Sequence, residues 1–246
     1  MLDLPHHHVE LDGPELDVTK PVVIVIPGMS TTPATLKAGY PAPPDHALTK
    51  LYWHLPIVRE GSLAVQERRH TDVFRHLFAP VVDEARQELK TLVNALAGRP
   101  LGLFGFSIGG LIALWGALDN PEVTALVAVG GVPNLNYLQH YYPDYPWSDA
   151  SIQAQLRTYD VLPHISRLPR RTAVLICHGA RDEVAQWQWM QPFADHLQRH
   201  HRLAQVQQFL HLKHQLWADG PDEDRDLTEL RTLADWWFVR YCPGPV

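Results

Sequence analysis

The stretch Leu101-Gly-Leu-Phe-Gly-Phe-Ser-Ile-Gly-Gly-Leu111 decides how the rest of this chain is read. Its apolar first half has the look of a buried strand, and the Ala-, Leu- and Trp-rich run after Ser107 has the look of a helix. Gly105, Ser107 and Gly109 form G-x-S-x-G, the pattern that lifts a serine hydroxyl out of a tight strand-to-helix turn. Both glycines have a steric job there, because side chains two residues either side of the serine would collide with each other and with neighbouring strands. Given the 15 glycines in the 246 residues, chance supplies only about 0.02 copies of the pattern.

On either side of this stretch, buried strands are expected, over 22–26, 51–58, 101–106, 123–129 and 172–177 in all, with a weaker, more alternating one over 204–210. Helical patterns fall between them, over 81–97, 108–118, 184–200 and 227–241. This alternation predicts an α/β protein with a doubly wound, mostly parallel sheet and helices on both faces. Two stretches break the rhythm. Residues 29–49 are rich in Pro, Thr and Ala and read as a loop over the carboxyl edge of the sheet. Residues 132–168 are aromatic and proline-rich, and an insertion there lies where ligands bind in open α/β folds. The expectation is therefore one domain over 1–246 with a cap insertion at 132–168.

The composition narrows the function. The net charge of −6, with no sustained basic run, argues against nucleic acid and anionic membranes as partners. Cys177 and Cys242 are too few for a disulfide framework. The N-terminus has no cationic start followed by an apolar stretch, and no segment approaches a membrane span. A cytoplasmic protein is expected, of unspecified oligomeric state.

A serine hydroxyl becomes nucleophilic only when a base takes its proton, so Ser107 calls for a histidine and a group that orients it. Asp182 follows the strand over 172–177, which puts a carboxylate on the same sheet edge as Ser107. An N-cap for the next helix is its bland alternative, and Glu183 is the neighbouring carboxylate. For the base, His211 and His214 both follow the last strand. His214 is preferred, since it lies deeper in the loop and is followed by apolar Leu216 and Trp217. Donors for a developing oxyanion are expected from the backbone of Ile108, at a helix N-terminus, and of Met29, after the Pro27-Gly28 turn.

This set, Pro27-Gly28-Met29, Gly105-Phe-Ser-Ile-Gly109, His178-Gly-Ala-Arg-Asp182 and His214, resembles the α/β-hydrolase superfamily, in particular its esterase- and lipase-like serine hydrolases. The resemblance runs from about residue 20 to the C-terminus. It implies Ser107 on a nucleophile elbow, Asp182 after the penultimate strand, His214 after the last, and a cap at 132–168. Three departures stand out. Pro27 sits where many members carry His, Leu212-Lys213 precede the histidine where small residues are usual, and the first 20 residues are short for an antiparallel hairpin. The second departure keeps His211 in play.

Other chemistries fit less well. His6-His7-His8 lie in a polar terminus, and His196 with His200 share a helix face but have no third ligand, so neither metal nor other cofactor is expected. No dinucleotide or phosphate loop is present. Dehalogenase and dienelactone-type chemistry would need a carboxylate or a cysteine where this chain has Ser107. The aromatic run with Tyr137, Tyr141 and Trp147 reads either as the wall of an apolar substrate pocket or as a cap packed on the domain. The leading expectation is hydrolysis of small-molecule carboxylic esters through an acyl-enzyme on Ser107. A peptidase or thioesterase of the same fold, or a non-catalytic scaffold, is the alternative.

Overall fold

The computed structural model describes residues 9–12, 19–29, 31–45 and 47–242. Val22–Ile26 is buried at every position, which requires cover on both sides, so this strand sits inside the sheet. Seven strands are present among the described residues: β1 (Val9–Asp12), β2 (Val22–Ile26), β3 (Thr49–Trp53), β4 (Leu101–Phe106), β5 (Val123–Val129), β6 (Ala173–Gly179) and β7 (Ala204–Phe209). They lie in the order β1-β3-β2-β4-β5-β6-β7. All neighbours pair in parallel except β1, which runs antiparallel to β3. The expected doubly wound, mostly parallel sheet is what forms.

Alternate residues of one strand face opposite cores, as a period of two demands. In β2, Val22, Ile24 and Ile26 join the larger apolar cluster while Val23 and Val25 join the second. The larger cluster is covered by α3 (Ala79–Ala95), α4 (Ile108–Asp119) and α7 (Trp187–His200). The second is covered by α1 (Pro33–Gly39) and α8 (Pro221–Tyr241). After β2 the chain steps outward to β3, then returns to place β4 on the other side of β2. This reversal opens a crevice at the carboxyl ends of β2 and β4, where ligands bind in such sheets. Met29 follows β2 and Ser107 follows β4, so topology alone brings them together.

Several boundaries differ from the sequence reading. The strand expected over 51–58 is Thr49–Trp53, and a turn and a short 3-10 helix, Val58–Glu60, take up the rest. Lys50 hid its start, because the lysine is fully buried and satisfied by Asp235 at 2.8 Å and the Pro41 carbonyl at 2.6 Å. Residues 62–78, which carried no expectation, form α2 (Ser62–Asp72) and a π-helix, Val73–Phe78. None of the α2 residues is buried, so it has no apolar stripe to read. The loop over 29–49 contains α1, capped by the Thr32 hydroxyl. α7 and α8 start at Trp187 and Pro221 rather than 184 and 227, and Asp222, Glu223 and Asp224 sit in the first turn of α8, where the helix dipole favours them. Between β5 and β6 lie α5 (Leu138–Tyr141), α6 (Ala150–Thr158) and a 3-10 helix, Leu162–Arg167.

Backbone packing at the β4–α4 junction leaves no room for side chains. A Cβ on Gly105 would lie 2.1 Å from the Gly109 carbonyl oxygen, and one on Gly109 would lie 2.3 Å from that of Ile26. Neither obstacle is a side chain that can swing away. Gly105→Ala is expected to destabilise the protein by about 3 kcal/mol or more. Gly220→Ala, where a Cβ meets open space, should cost within about 1 kcal/mol. Urea unfolding of the two variants checks this, and equal midpoints would contradict the steric account.

Candidate active site

Ser107 sits at the sharpest point of the turn, with φ 58° and ψ −125°. Among the described residues only Ile57 shares a positive φ without being glycine. Such a conformation costs of order 1–3 kcal/mol and persists where surrounding contacts over-determine it. Here the Ser107 amide donates to the Val129 carbonyl at 2.9 Å, and the Gly110 amide donates to the Ser107 carbonyl at 2.9 Å. Gly28 fits against the serine from the β2 side, since a Cβ there would stand 3.0 Å from the Ser107 Cβ.

The imidazole of His214 lies between Ser107 and Asp182. Its Nε2 is 2.8 Å from the Ser107 Oγ and its Nδ1 is 2.8 Å from the Asp182 Oδ2. A carboxylate only accepts, so Nδ1 carries the proton and Nε2 presents a lone pair to the hydroxyl. The other oxygen of Asp182 accepts from the amides of Val184 at 2.9 Å and Ala185 at 2.7 Å. The bland alternative for Asp182 is not realised, since the next helix starts at Trp187 with Gln186 at its cap position; instead one carboxylate holds its own turn with Oδ1 and the histidine with Oδ2. Asp182 is buried and His214 keeps a side-chain exposure of 14%.

The competing residues go elsewhere. The ring of His211 lies 3.4 Å from Asp226 of α8, which also accepts from the His211 amide. Glu183 is exposed, and its carbonyl accepts from the Tyr141 hydroxyl at 2.8 Å. The support expected for His214 from Trp217 is absent, because Trp217 is half exposed. Leu216 is buried, and its carbonyl accepts from Arg231 of α8, which also bonds the Gly39 carbonyl. The ring that flanks the imidazole is Phe106, the residue before the serine, at a centroid distance of 5.0 Å.

A cavity of about 280 Å³ opens at this constellation. Met29, Ile108, Ser107 and His214 border it, and Tyr137 and Tyr141 form an aromatic side. Burial pushes the Tyr137 phenol well above its ordinary pKa, so it stays neutral. Trp147, grouped with these tyrosines from sequence, does not reach the cavity. It is buried behind it, against Tyr145 and Phe74, and its Nε1 donates to the Tyr142 carbonyl at 2.7 Å. The aromatic run thus divides into two parts, one lining the cavity and one packed beneath.

Sequence reasoning missed several contributors. Phe78, from the unread π-helix, lines the cavity with Val132, Leu138 and Tyr142. Gly130 was also missed. It has φ 53°, and a Cβ there would meet the Asp182 Oδ2 at 3.1 Å and the His214 Nδ1 at 3.3 Å. The available signal was the Gly130-Gly131 pair ending the apolar run of β5. The rings of His196 and His200 lie 4.4 Å apart between centroids, tilted by 43°, and among the described residues no group of three metal-ligating side chains includes them. His6-His7-His8 lie outside the described residues. No helix among the described residues is long and apolar enough to cross a membrane.

Solved structures share this fold. A puromycin-hydrolysing peptidase of Mycobacterium tuberculosis superposes with TM-score 0.71 at 16% identity, covering 98% of this chain and 38% of the peptidase. TT1662 from Thermus thermophilus superposes with TM-score 0.68 at 18% identity, covering 96% and 95% of the two chains. A monoacylglycerol lipase of Paleococcus ferrophilus gives TM-score 0.64 at 12% identity, covering 96% and 99%. The chain thus spans about two fifths of the peptidase but nearly all of the other two. Among curated proteins, none matches the sequence. The sequence profile of the prolyl oligopeptidase family, however, matches residues 82–241, well over half of the chain, and that span contains Ser107, Asp182 and His214. The α/β-hydrolase fold expected from the motif around Ser107 is therefore present, and the chain belongs to the prolyl oligopeptidase family.

Proposed function

We propose that this protein is a serine hydrolase that cleaves carboxylic esters of small apolar acids through an acyl-enzyme on Ser107. One observation carries the proposal: the hydrogen-bonded series Ser107–His214–Asp182 opens onto an apolar cavity. As Oγ attacks the ester carbonyl, its proton passes to the His214 Nε2, and the Asp182 carboxylate stabilises the imidazolium. The carbonyl oxygen becomes an oxyanion facing the backbone N–H groups of Met29 and Ile108. When the tetrahedral adduct collapses, the C–O bond to the alcohol breaks and Nε2–H protonates the departing oxygen. Water then repeats the sequence on the acyl-enzyme, giving up a proton to Nε2, and Ser107 leaves with that proton restored.

The lining of the cavity favours an ester of an uncharged acyl group. Around Ser107 and His214 stand Met29, Phe78, Val132, Tyr137, Leu138 and Tyr142, none of them a partner for a charged peptide terminus. A second reading, amide cleavage, is supported by family membership itself. The attacking and oxyanion-binding groups are the same in both, and the readings divide on the leaving group: an alkoxide departs far more readily than an amine.

Ser107→Ala should lower kcat/KM for p-nitrophenyl acetate by more than about 10³-fold, with the fold intact by circular dichroism. Full activity in that variant would end the proposal. His214→Ala should lose a similar factor, whereas His211→Ala should stay within about threefold of the parent; the reverse pattern would move the base to His211.

The cavity also sets an acyl preference. Along a p-nitrophenyl ester series, kcat/KM should rise about fourfold per buried methylene, as about 0.8 kcal/mol each implies, then fall once the space is full. A flat series would show that the cavity does not hold the acyl group. Faster turnover of a peptidyl p-nitroanilide than of the best ester would favour the amide reading.

A further inference from the structure

His178 has no role in the chemistry above, yet it sits in an unusual place. It lies in β6 opposite Gln208, four residues before Asp182, with a side chain of 0% exposure. Its Nε2 bonds the carbonyl of Ala185. Because a carbonyl only accepts, Nε2 bears the proton and Nδ1 is a lone pair, for which no partner exists among the described residues. Burial pushes its pKa below the ordinary histidine value, outweighing the pull of Asp182, so the ring is a neutral donor. Its edge contact with Trp187, at a centroid distance of 5.4 Å, could be made equally by an apolar side chain. An apolar residue would also avoid leaving a buried nitrogen unsatisfied. What the histidine adds is one directed N–H.

That N–H ends on the residue that steers the carboxylate. Ala185 offers its carbonyl to His178 and its amide to the Asp182 Oδ1, at 2.7 Å. The amide of Val184 joins it, which leaves Oδ2 free to face the His214 Nδ1. His178 itself stands 4.0 Å from Oδ2, too far for a hydrogen bond, so any influence runs through the turn. Building on the proposed catalytic roles of Ser107, His214 and Asp182, we propose that His178 is a positioning residue. By fixing the Ala185 peptide it holds the turn 182–185, and thereby aims the Asp182 carboxylate at His214.

The test compares His178→Leu, which fills space without a donor, with His178→Gln, which restores an N–H. Both are read well below their melting temperatures. His178→Leu should lose about 10- to 100-fold in kcat at nearly unchanged KM, the range expected of a small misplacement of a catalytic group. The acidic limb of its pH–kcat/KM profile should move to lower pH, because a misaimed carboxylate stabilises the His214 imidazolium less. His178→Gln should recover most of both. In an Asp182→Asn background, His178→Leu should cost less than about threefold, since the steered charge is already gone. A melting-temperature loss with unchanged kcat and unchanged limb, or equal losses in both backgrounds, would overturn the proposal and leave His178 as packing. If His178→Leu does not fold, His178→Gln decides through the low-field Nδ1–H proton resonance of His214: a parental position supports the clamp, and its disappearance refutes rescue by the amide. A parent protein whose activity survives Ser107→Ala would instead contradict the catalytic reading on which this rests.

Discussion

Everything at this site depends on backbone meeting backbone where β4 becomes α4. Gly105 lies against the Gly109 carbonyl and Gly109 against the Ile26 carbonyl, distances that admit no Cβ. These contacts force Ser107 into a positive φ, and that torsion points its hydroxyl out of the sheet. β2, the strand that crowds Gly109, also ends in the Gly28-Met29 turn, so one close approach brings the serine and the Met29 backbone to the same crevice. Strain of a few kcal/mol at one residue is small beside a core that buries whole strands on both faces.

Asp182 and His214 arrive by a different route. Both lie in loops following strands that pair with each other, β6 and β7, so each is delivered to the same sheet edge as Ser107. Loops alone do not fix a carboxylate within hydrogen-bond reach of an imidazole. Asp182 is held by two backbone amides of its own turn, and the His214 loop is tied at Leu216 to Arg231 of α8. Gly130 leaves space where the pair meets. The geometry is thus assembled from short backbone restraints rather than from bulk packing, as precise positioning requires.

What the sequence disclosed follows from this difference. The turn at Ser107 was legible because its steric demands leave glycine at fixed offsets. Asp182 was legible because a strand pattern ends just before it. The choice between His211 and His214 depended on the path of a loop, and the argument from Trp217 proved mistaken although His214 is the histidine beside Ser107. Trp147 and Tyr141 look alike in sequence, since an aromatic run without period does not say which rings face the cavity and which lie beneath. The helix over 62–72 was invisible because it buries nothing, and Phe78 was lost with it. Lys50 disguised the start of β3 by placing a charge where apolar residues are the rule, its cost offset by Asp235.

On the proposed chemistry, the Ser107 hydroxyl is the group that forms the covalent intermediate. Treating the parent protein with a fluorophosphonate, then locating the added mass by digestion and tandem mass spectrometry, reads this directly. One adduct per chain is expected, on the peptide containing Ser107. An unmodified protein, or an adduct on any other residue, would contradict it.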